Sequence, residues 1–424
     1  MTVRRIAGLI VLAMAISSVF CAAPASASEA RLEGLAGNPL VEDDMSVVDF
    51  PGLLTAYTSQ VFLTVRPDAI ANEDIRQAGE AGIIAGDGVA FGIWVNRIPR
   101  WDDLNEMNTL FDLRRDLPTT YNLLDLFLAG SNGLGVRVSV GAGLEAEDRE
   151  VGDAGVEPDT TTGGTGESKP KMLSSGGTTF TLDIQPGYTV ETDAYHGDFG
   201  AGVTLNYFEI VEEGRSAYRT SWVPSFLVRH RSVLFPRKPL AWIADAMVTR
   251  RAYTVEAKGT PKEGGDLGRW AASLTVGPKL RFPRDVTVWV GARFTIEDLS
   301  GKISKQPQPD VRAIGFPGLV ASAEAFLFDR LSVRAGASYQ VEWTDVSQDA
   351  QKPDATSRDT ADLAPKTKRQ GMGQTFLWST GLGVLLGDFR IDGTVTHEIW
   401  FNGPAVVGGG NPGLTGLLSA NYAW

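Results

Sequence analysis

Three observations predict an all-β fold, an antiparallel up-and-down β-barrel that crosses a membrane with about 14 strands. From residue 133 onward the 424-residue chain is built of segments of about ten to fifteen residues in which apolar and polar side chains alternate. A period of two with one apolar face marks a half-buried strand. The connections alternate between short turns and mostly long polar loops, the habit of barrels that span a bilayer. After the N-terminus, no stretch approaches the roughly 18 consecutive apolar residues of a membrane helix.

The first residues read as an export signal. Arg4 and Arg5 supply a positive start, 6–20 is an apolar run too short for a comfortable span, and Ala25-Ser26-Ala27 fits the small-residue cleavage pattern. Residues 1–27 are therefore expected to be a signal peptide, which leaves about 397 of the 424 residues. The single cysteine, Cys21, lies in that segment, and Phe20 before it argues against lipidation. The mature chain is then without disulfide, thiolate nucleophile or cysteine metal site. Losing Arg4 and Arg5 takes the net charge from −12 to −14. So acidic a surface argues against nucleic acid as a partner.

Segment 28–59 is expected to be a plug or a periplasmic segment, and 60–424 the barrel. Two readings stand for the first strands. One pairs 60–65 with 89–96. The other uses 89–96 and 121–129, with Ser131-Asn132-Gly133 as a tight turn and 28–66 folded inside. Leu104, Met107, Leu110 and Phe111 have helical spacing, so 102–117 reads as a short amphipathic helix.

Twelve strands follow. In 136–144, Val136, Val138, Val140, Ala142 and Leu144 oppose Arg137, Ser139, Gly141 and Gly143. In 180–190, Phe180, Leu182, Ile184 and Tyr188 oppose Thr181, Asp183 and Gln185. Segments 199–207, 221–231, 273–282, 286–297, 331–343 and 389–401 repeat the scheme, whereas 241–255, 315–327 and 375–386 fit it less cleanly. Aromatic residues gather near strand ends on the apolar face, as in an interfacial girdle. Inward glycines such as Gly200, Gly202, Gly381 and Gly383 relieve crowding on the concave side. Hydrocarbon offers no partner to a free N–H, so a spanning sheet has to close.

The final residues set Leu414, Gly416, Leu418, Ala420, Tyr422 and Trp424 against Thr415, Ser419 and Asn421. This strand resembles the closing strand of bacterial outer-membrane β-barrels, where terminal aromatics form part of the signal read by the assembly machinery. The resemblance implies that Tyr422 and Trp424 are an assembly signal. It also implies an outer-membrane location, with lipid, lipopolysaccharide and the assembly machinery as partners. Asn38-Pro39 and Asp49-Phe50-Pro51-Gly52-Leu53-Leu54 are similar to the Asn-Pro-Ala-Gly-Leu type segment of FadL-type channels for hydrophobic compounds, with Phe50 at the asparagine position. In that family the segment belongs to an N-terminal hatch in a 14-stranded barrel, which implies a hydrophobic solute route with a lateral exit.

Inward positions carry charge graded by depth. Arg137, Arg229, Arg231, Lys279, Arg281, Arg334 and Arg390 fall near the short-turn ends; Glu145, Glu297, Glu342 and Glu398 fall near the loop ends, and Arg293 also points inward. These residues either form an acidic mouth and basic floor that select solutes, or pair across strands and fill the lumen. Segment 145–171 has carboxylates enough for calcium but lacks the spacing of an EF-hand loop. The three histidines, His196, His230 and His397, belong to no catalytic motif, so neither enzyme activity nor a cofactor is expected. The expected function is passive passage of small solutes through a porin-like channel. A FadL-like transporter and a structural or adhesive barrel with a filled lumen are the alternatives.

Overall fold

The computed structural model describes residues 29–57, 59–66, 79–97, 121–151, 171–212, 215–220, 223–257, 265–283, 285–303, 308–328, 330–349, 367–402 and 413–424. Each alternating segment pairs antiparallel with its neighbour in sequence. The segments are β1 (Gln60–Val65), β2 (Gly79–Asp87), β3 (Val89–Arg97), β4 (Tyr121–Gly130), β5 (Leu134–Val151), β6 (Lys171–Glu191), β7 (Tyr195–Glu212), β8 (Arg215–Thr220) and β9 (Val223–Leu234). They continue with β10 (Leu240–Ala257), β11 (Gly265–Phe282), β12 (Val286–Ile303), β13 (Gln308–Leu327), β14 (Leu331–Asp349), β15 (Thr367–Leu386), β16 (Phe389–Asn402) and β17 (Gly413–Ala423). Both β8 and β9 lie between β7 and β10, so they are two halves of one stave and the ring has 16. The ring closes where β17 meets β1, with Ala423 opposite Gln60 and Leu418 opposite Val65. Trp424 N donates to Ser59 O at 2.9 Å. The last strand is thus the closing strand, and closure leaves no edge N–H to face lipid.

The count corrects the expectation of about 14. Twelve staves from β5 onward agree with the alternation; the N-terminal part adds four, not two. Both readings of that part are half of the answer, since β1, β3 and β4 all belong to the wall, together with β2, which neither used. The sequence of β2, GEAGIIAGD, has few large side chains in which alternation shows. The inward residues Phe62, Trp94 and Phe127 of β1, β3 and β4 are apolar because they pack against an interior segment, which removes the contrast between faces. Ser131-Asn132-Gly133 does form the tight turn, with Gly133 at φ 81° and Asn132 Oδ1 accepting from Leu134 N at 3.2 Å. The expected signal peptide and the helix at 102–117 lie outside the described residues.

Several staves are longer than expected on the loop side. β5 reaches Val151 and β6 begins at Lys171, where polar loop was predicted; β14 likewise reaches Asp349. About 9–11 tilted residues cross the hydrocarbon. Beyond it both faces meet water, so ladder pairing continues without alternation.

The faces are inverted relative to a soluble protein. Phe91, Val228 and Leu382 on the outside are more than half exposed, while Arg231, Arg334, Asp392 and Asn421 on the inside are buried. Two of the three less regular segments have a local cause. Inward Ala241 and Ile243 of β10 and Val320 of β13 belong to an apolar cluster with the interior segment. β13 also slips register between Gly315 and Gly318.

Candidate functional site in a plugged lumen

A ring of 16 staves encloses more space than its own side chains fill. Residues 29–57 occupy its short-turn half, the periplasmic end in barrels of this class. They begin with α1 (Glu29–Gly34), which lies against β14 to β17. Two 3-10 turns, Asp44–Val48 and Pro51–Tyr57, complete the segment. Asp43 caps the first, its Oδ1 accepting from Ser46 N at 3.2 Å. Apolar contact holds both parts. Leu35, Leu40 and Val41 pack with Val233, Ile243, Trp289 and Val320; Met45, Phe50, Leu53 and Leu54 pack with Phe62, Ile84, Trp94 and Phe127.

The wall is shaped to receive this plug. A Cβ on Gly200 would stand 2.1 Å from Asp49 O, one on Gly135 2.3 Å from Pro51 O, and one on Gly336 2.3 Å from Leu35 C. The inward glycines therefore do more than relieve curvature, since the plug backbone lies directly on several of them.

Charge completes the anchoring. Arg137 Nη1 donates to Val48 O at 2.6 Å and its other nitrogen pairs with Asp183. Arg229 bonds Asp49 of the plug and, at 3.0 Å, Asp245 of the wall. Arg231 bonds Asp198 at 2.8 Å and Ser46 Oγ of the plug at 3.0 Å. Both guanidinium groups stand over the Phe50 ring, at 5.3 and 5.1 Å from its centroid, which gives a reason for an aromatic at that position. Arg334 bonds Glu324 at 2.8 Å and Asp392 at 2.7 Å; Arg390 reaches the same two carboxylates, and Arg31 of the plug joins Glu324 at 2.7 Å. Lys279 pairs with Glu42 of the plug. Apart from Arg281, the basic floor is thus a set of buried pairs.

The upper half is more open. Glu297 bonds Arg269 at 2.6 Å. Glu342 is exposed and accepts from Thr344 Oγ1 at 3.4 Å. Arg293 is partly buried on the inward face of β12. Arg281 stands exposed at the short-turn rim. The side chains of Glu145 and Glu398 lie outside the described set. Tyr422 and Trp424 lie on one face of the closing strand with their rings stacked at 6.4 Å. The sequence reading missed Asp49, Asp198, Asp245 and Glu324. For the last three the signal is an inward carboxylate one stave from an inward arginine, which becomes visible only once register is known; Asp49 belongs to the plug and meets Arg229 only when the plug is seated. Among the described residues, no group of three or more His, Cys, Asp or Glu side chains is arranged to hold a metal ion.

A closed antiparallel ring with an apolar outer band, a charged interior and a closing aromatic strand defines an outer-membrane β-barrel, and the chain resides in the outer membrane against its lipid. No protein-family description and no curated protein matches the chain. Among solved structures it is similar to a Pseudomonas aeruginosa FadL homologue, at 12% identity over 95% of this chain and 100% of the other, with a TM-score of 0.44. It is also similar to outer-membrane expressed OmpT of Vibrio cholerae, at 10% identity over 86% of this chain and 95% of the other, with a TM-score of 0.36. The beta domain of the Bordetella autotransporter Brka is a further likeness, at 12% identity over 59% of this chain and 92% of the other, with a TM-score of 0.29.

Proposed function

We propose that the protein is a channel for passive passage of small solutes whose periplasmic exit is closed by its own N-terminal segment. One observation carries this reading. Residues 29–57 are seated on the wall by two apolar clusters and by Asp49, Glu42 and Arg31, while the lumen beyond them is lined by Arg293, Thr295, Gln340 and Glu342. A 16-stave ring is wide enough for an aqueous route once such a segment moves. The porin-like expectation is narrowed accordingly: passage depends on the plug rather than on a permanently open pore.

Planar-bilayer recording tests this. The full chain is expected to give small or infrequent steps, and Asp49→Asn with Arg229→Gln, which loosen the plug, is expected to raise conductance severalfold. Silence from both would favour the barrel with a filled lumen, whose extramembrane loops do the work. The FadL-like reading has support of its own, because Asn38 and the Phe50-Pro51-Gly52 turn both belong to the plug; Asn38 donates to Ser322 Oγ at 2.8 Å. Uptake of a hydrophobic fluorescent probe without ionic current would select it. We assign Tyr422 and Trp424 to recognition by the assembly machinery and the outer leaflet contact to lipopolysaccharide. The protein is read as non-enzymatic because its three histidines belong to no catalytic motif; His196 donates to Asp198 at 3.1 Å and His230 to the Asp198 carbonyl at 3.0 Å, beside Arg231.

A further inference from the structure

We propose that the wall just above the plug holds a subsite for a small anion, a carboxylate or phosphate group, built on Arg293. The subsite takes its biological sense from the channel reading, while its geometry stands alone. The inward positions of β12 run from the short-turn end as Trp289, Gly291, Arg293 and Thr295. Trp289 packs in the plug's apolar cluster, and a Cβ on Gly291 would stand 2.7 Å from Leu40 Cδ1 of the plug. Arg293 is therefore the first side chain of this stave past the plug.

Its electrostatic position differs from that of the arginines below. Arg137, Arg229, Arg231, Arg334 and Arg390 each have carboxylate partners. The Arg293 side chain has no ion pair or hydrogen bond with another described residue, and its Nε is buried without a partner. Asp245, whose charge reaches it, is bonded to Arg229 at 3.0 Å. A buried donor without an acceptor costs free energy, so an acceptor that enters the lumen is favoured there.

The surrounding wall suits an anion. Register sets Thr275, Arg293, Gly318 and Gln340 opposite one another on four successive staves. Gly318 leaves bare backbone between the guanidinium and the amide. Two strand spacings separate their backbones by about 10 Å, room for a carboxylate or phosphate between the side chains. β13 slips register on both of its edges here, and bulges of this kind re-aim neighbouring side chains. Gln340 Nε2 donates to Thr295 Oγ1 at 2.6 Å across Gly315, which fixes the amide on the mouth side of Arg293 and leaves its second N–H free for a ligand. Glu342 lies one inward position nearer the mouth and is engaged by Thr344 at 3.4 Å. The planar guanidinium offers a two-pronged fork that matches a carboxylate or phosphate.

The test uses full-length protein refolded into planar bilayers, with inorganic phosphate as the probe and heat-modifiable gel migration to verify that each variant is folded. Phosphate is expected to block the wild-type KCl current. Arg293→Gln is expected to raise the half-blocking concentration about tenfold, the loss of one charge-assisted contact. Arg293→Lys is expected to keep part of the block, and Gln340→Ala to weaken it severalfold at unchanged charge. A current of normal size whose block is the same in Arg293→Gln overturns the subsite and leaves the channel reading intact. Silence from the wild type and from the Asp49→Asn, Arg229→Gln variant alike overturns the channel reading; calorimetry of phosphate binding in micelles then decides the subsite. Binding lost in Arg293→Gln supports it, and no binding by the wild type refutes it.

Discussion

Arg229 and Asp49 join the wall of the barrel to its plug. The guanidinium bonds the Asp49 carboxylate while holding Asp245 at 3.0 Å, so one wall arginine bridges two acids, one on each body. Both side chains at the joint are largely buried. Breaking a buried pair by removing one partner costs about 3–5 kcal/mol, and the remaining Asp245 contact lowers that here to about 1–3 kcal/mol. Asp49→Asn is therefore expected to lower resistance to urea by that amount. Arg229→Gln is expected to cost more, since it strands two carboxylates. Additive losses in the double variant would show that the two side chains do not act together.

How far this arrangement can be read from sequence depends on which side of the wall is considered. Lipid imposes one rule on every stave, so Val136, Val138 and Val140, or Phe226 and Val228, announce their face without any knowledge of neighbours. The number of staves after residue 133 and the closing role of the last strand followed from that rule. The inner face obeys no such rule. Ile243, Trp289 and Val320 are apolar because a plug lies on them, and Arg231 is tolerated because Asp198 stands one stave away. Those are facts of register and of long-range contact, which local alternation does not record. The same cause blurred three of the first four staves, β1, β3 and β4, whose inward Phe62, Trp94 and Phe127 look like a second lipid face, while β2 has few large side chains in which alternation shows.

Gly200 provides a steric test of seating. Its missing Cβ is replaced by the Asp49 carbonyl, which would be 2.1 Å from a side chain there. Gly200→Val is expected to displace the plug while leaving the ladder between β6 and β7 paired. Limited proteolysis should then cut within 29–57 in the variant and spare the wild type, with both still migrating as folded barrels. Equal protection of the two would mean that the plug does not rest on Gly200 in the membrane.

Glu42 makes the seating sensitive to acid. Burial pushes its carboxyl up, but the charges of Lys279 and Arg231, the hydrogen bond from Lys279 and the nearby His196 outweigh burial and hold it below its ordinary 4.5. A carboxyl lowered in the folded state contributes stability above its unfolded value, and that contribution is lost as pH falls through the folded value. The plug is thus expected to stay protected from protease above pH 4.5 and to become progressively accessible below it. Lys279→Gln should loosen the plug at neutral pH and flatten this dependence. An acid response of the same size in Lys279→Gln would remove Glu42 as its source.

Tyr422 and Trp424 separate recognition from closure. Tyr422 lies opposite Val61 in the closing ladder, and Trp424 ties its backbone N–H to Ser59 O at 2.9 Å. These backbone bonds need no aromatic ring. If the rings act as a signal for the assembly machinery, Tyr422→Ala with Trp424→Ala should cut the amount of folded barrel in cells severalfold. The same variant refolded from urea into detergent should close with nearly wild-type yield, because the ladder and its inward anchors Leu417 and Asn421 are intact. Equal losses in cells and in detergent would assign the rings to barrel stability instead, through their stacking and their place at the membrane interface.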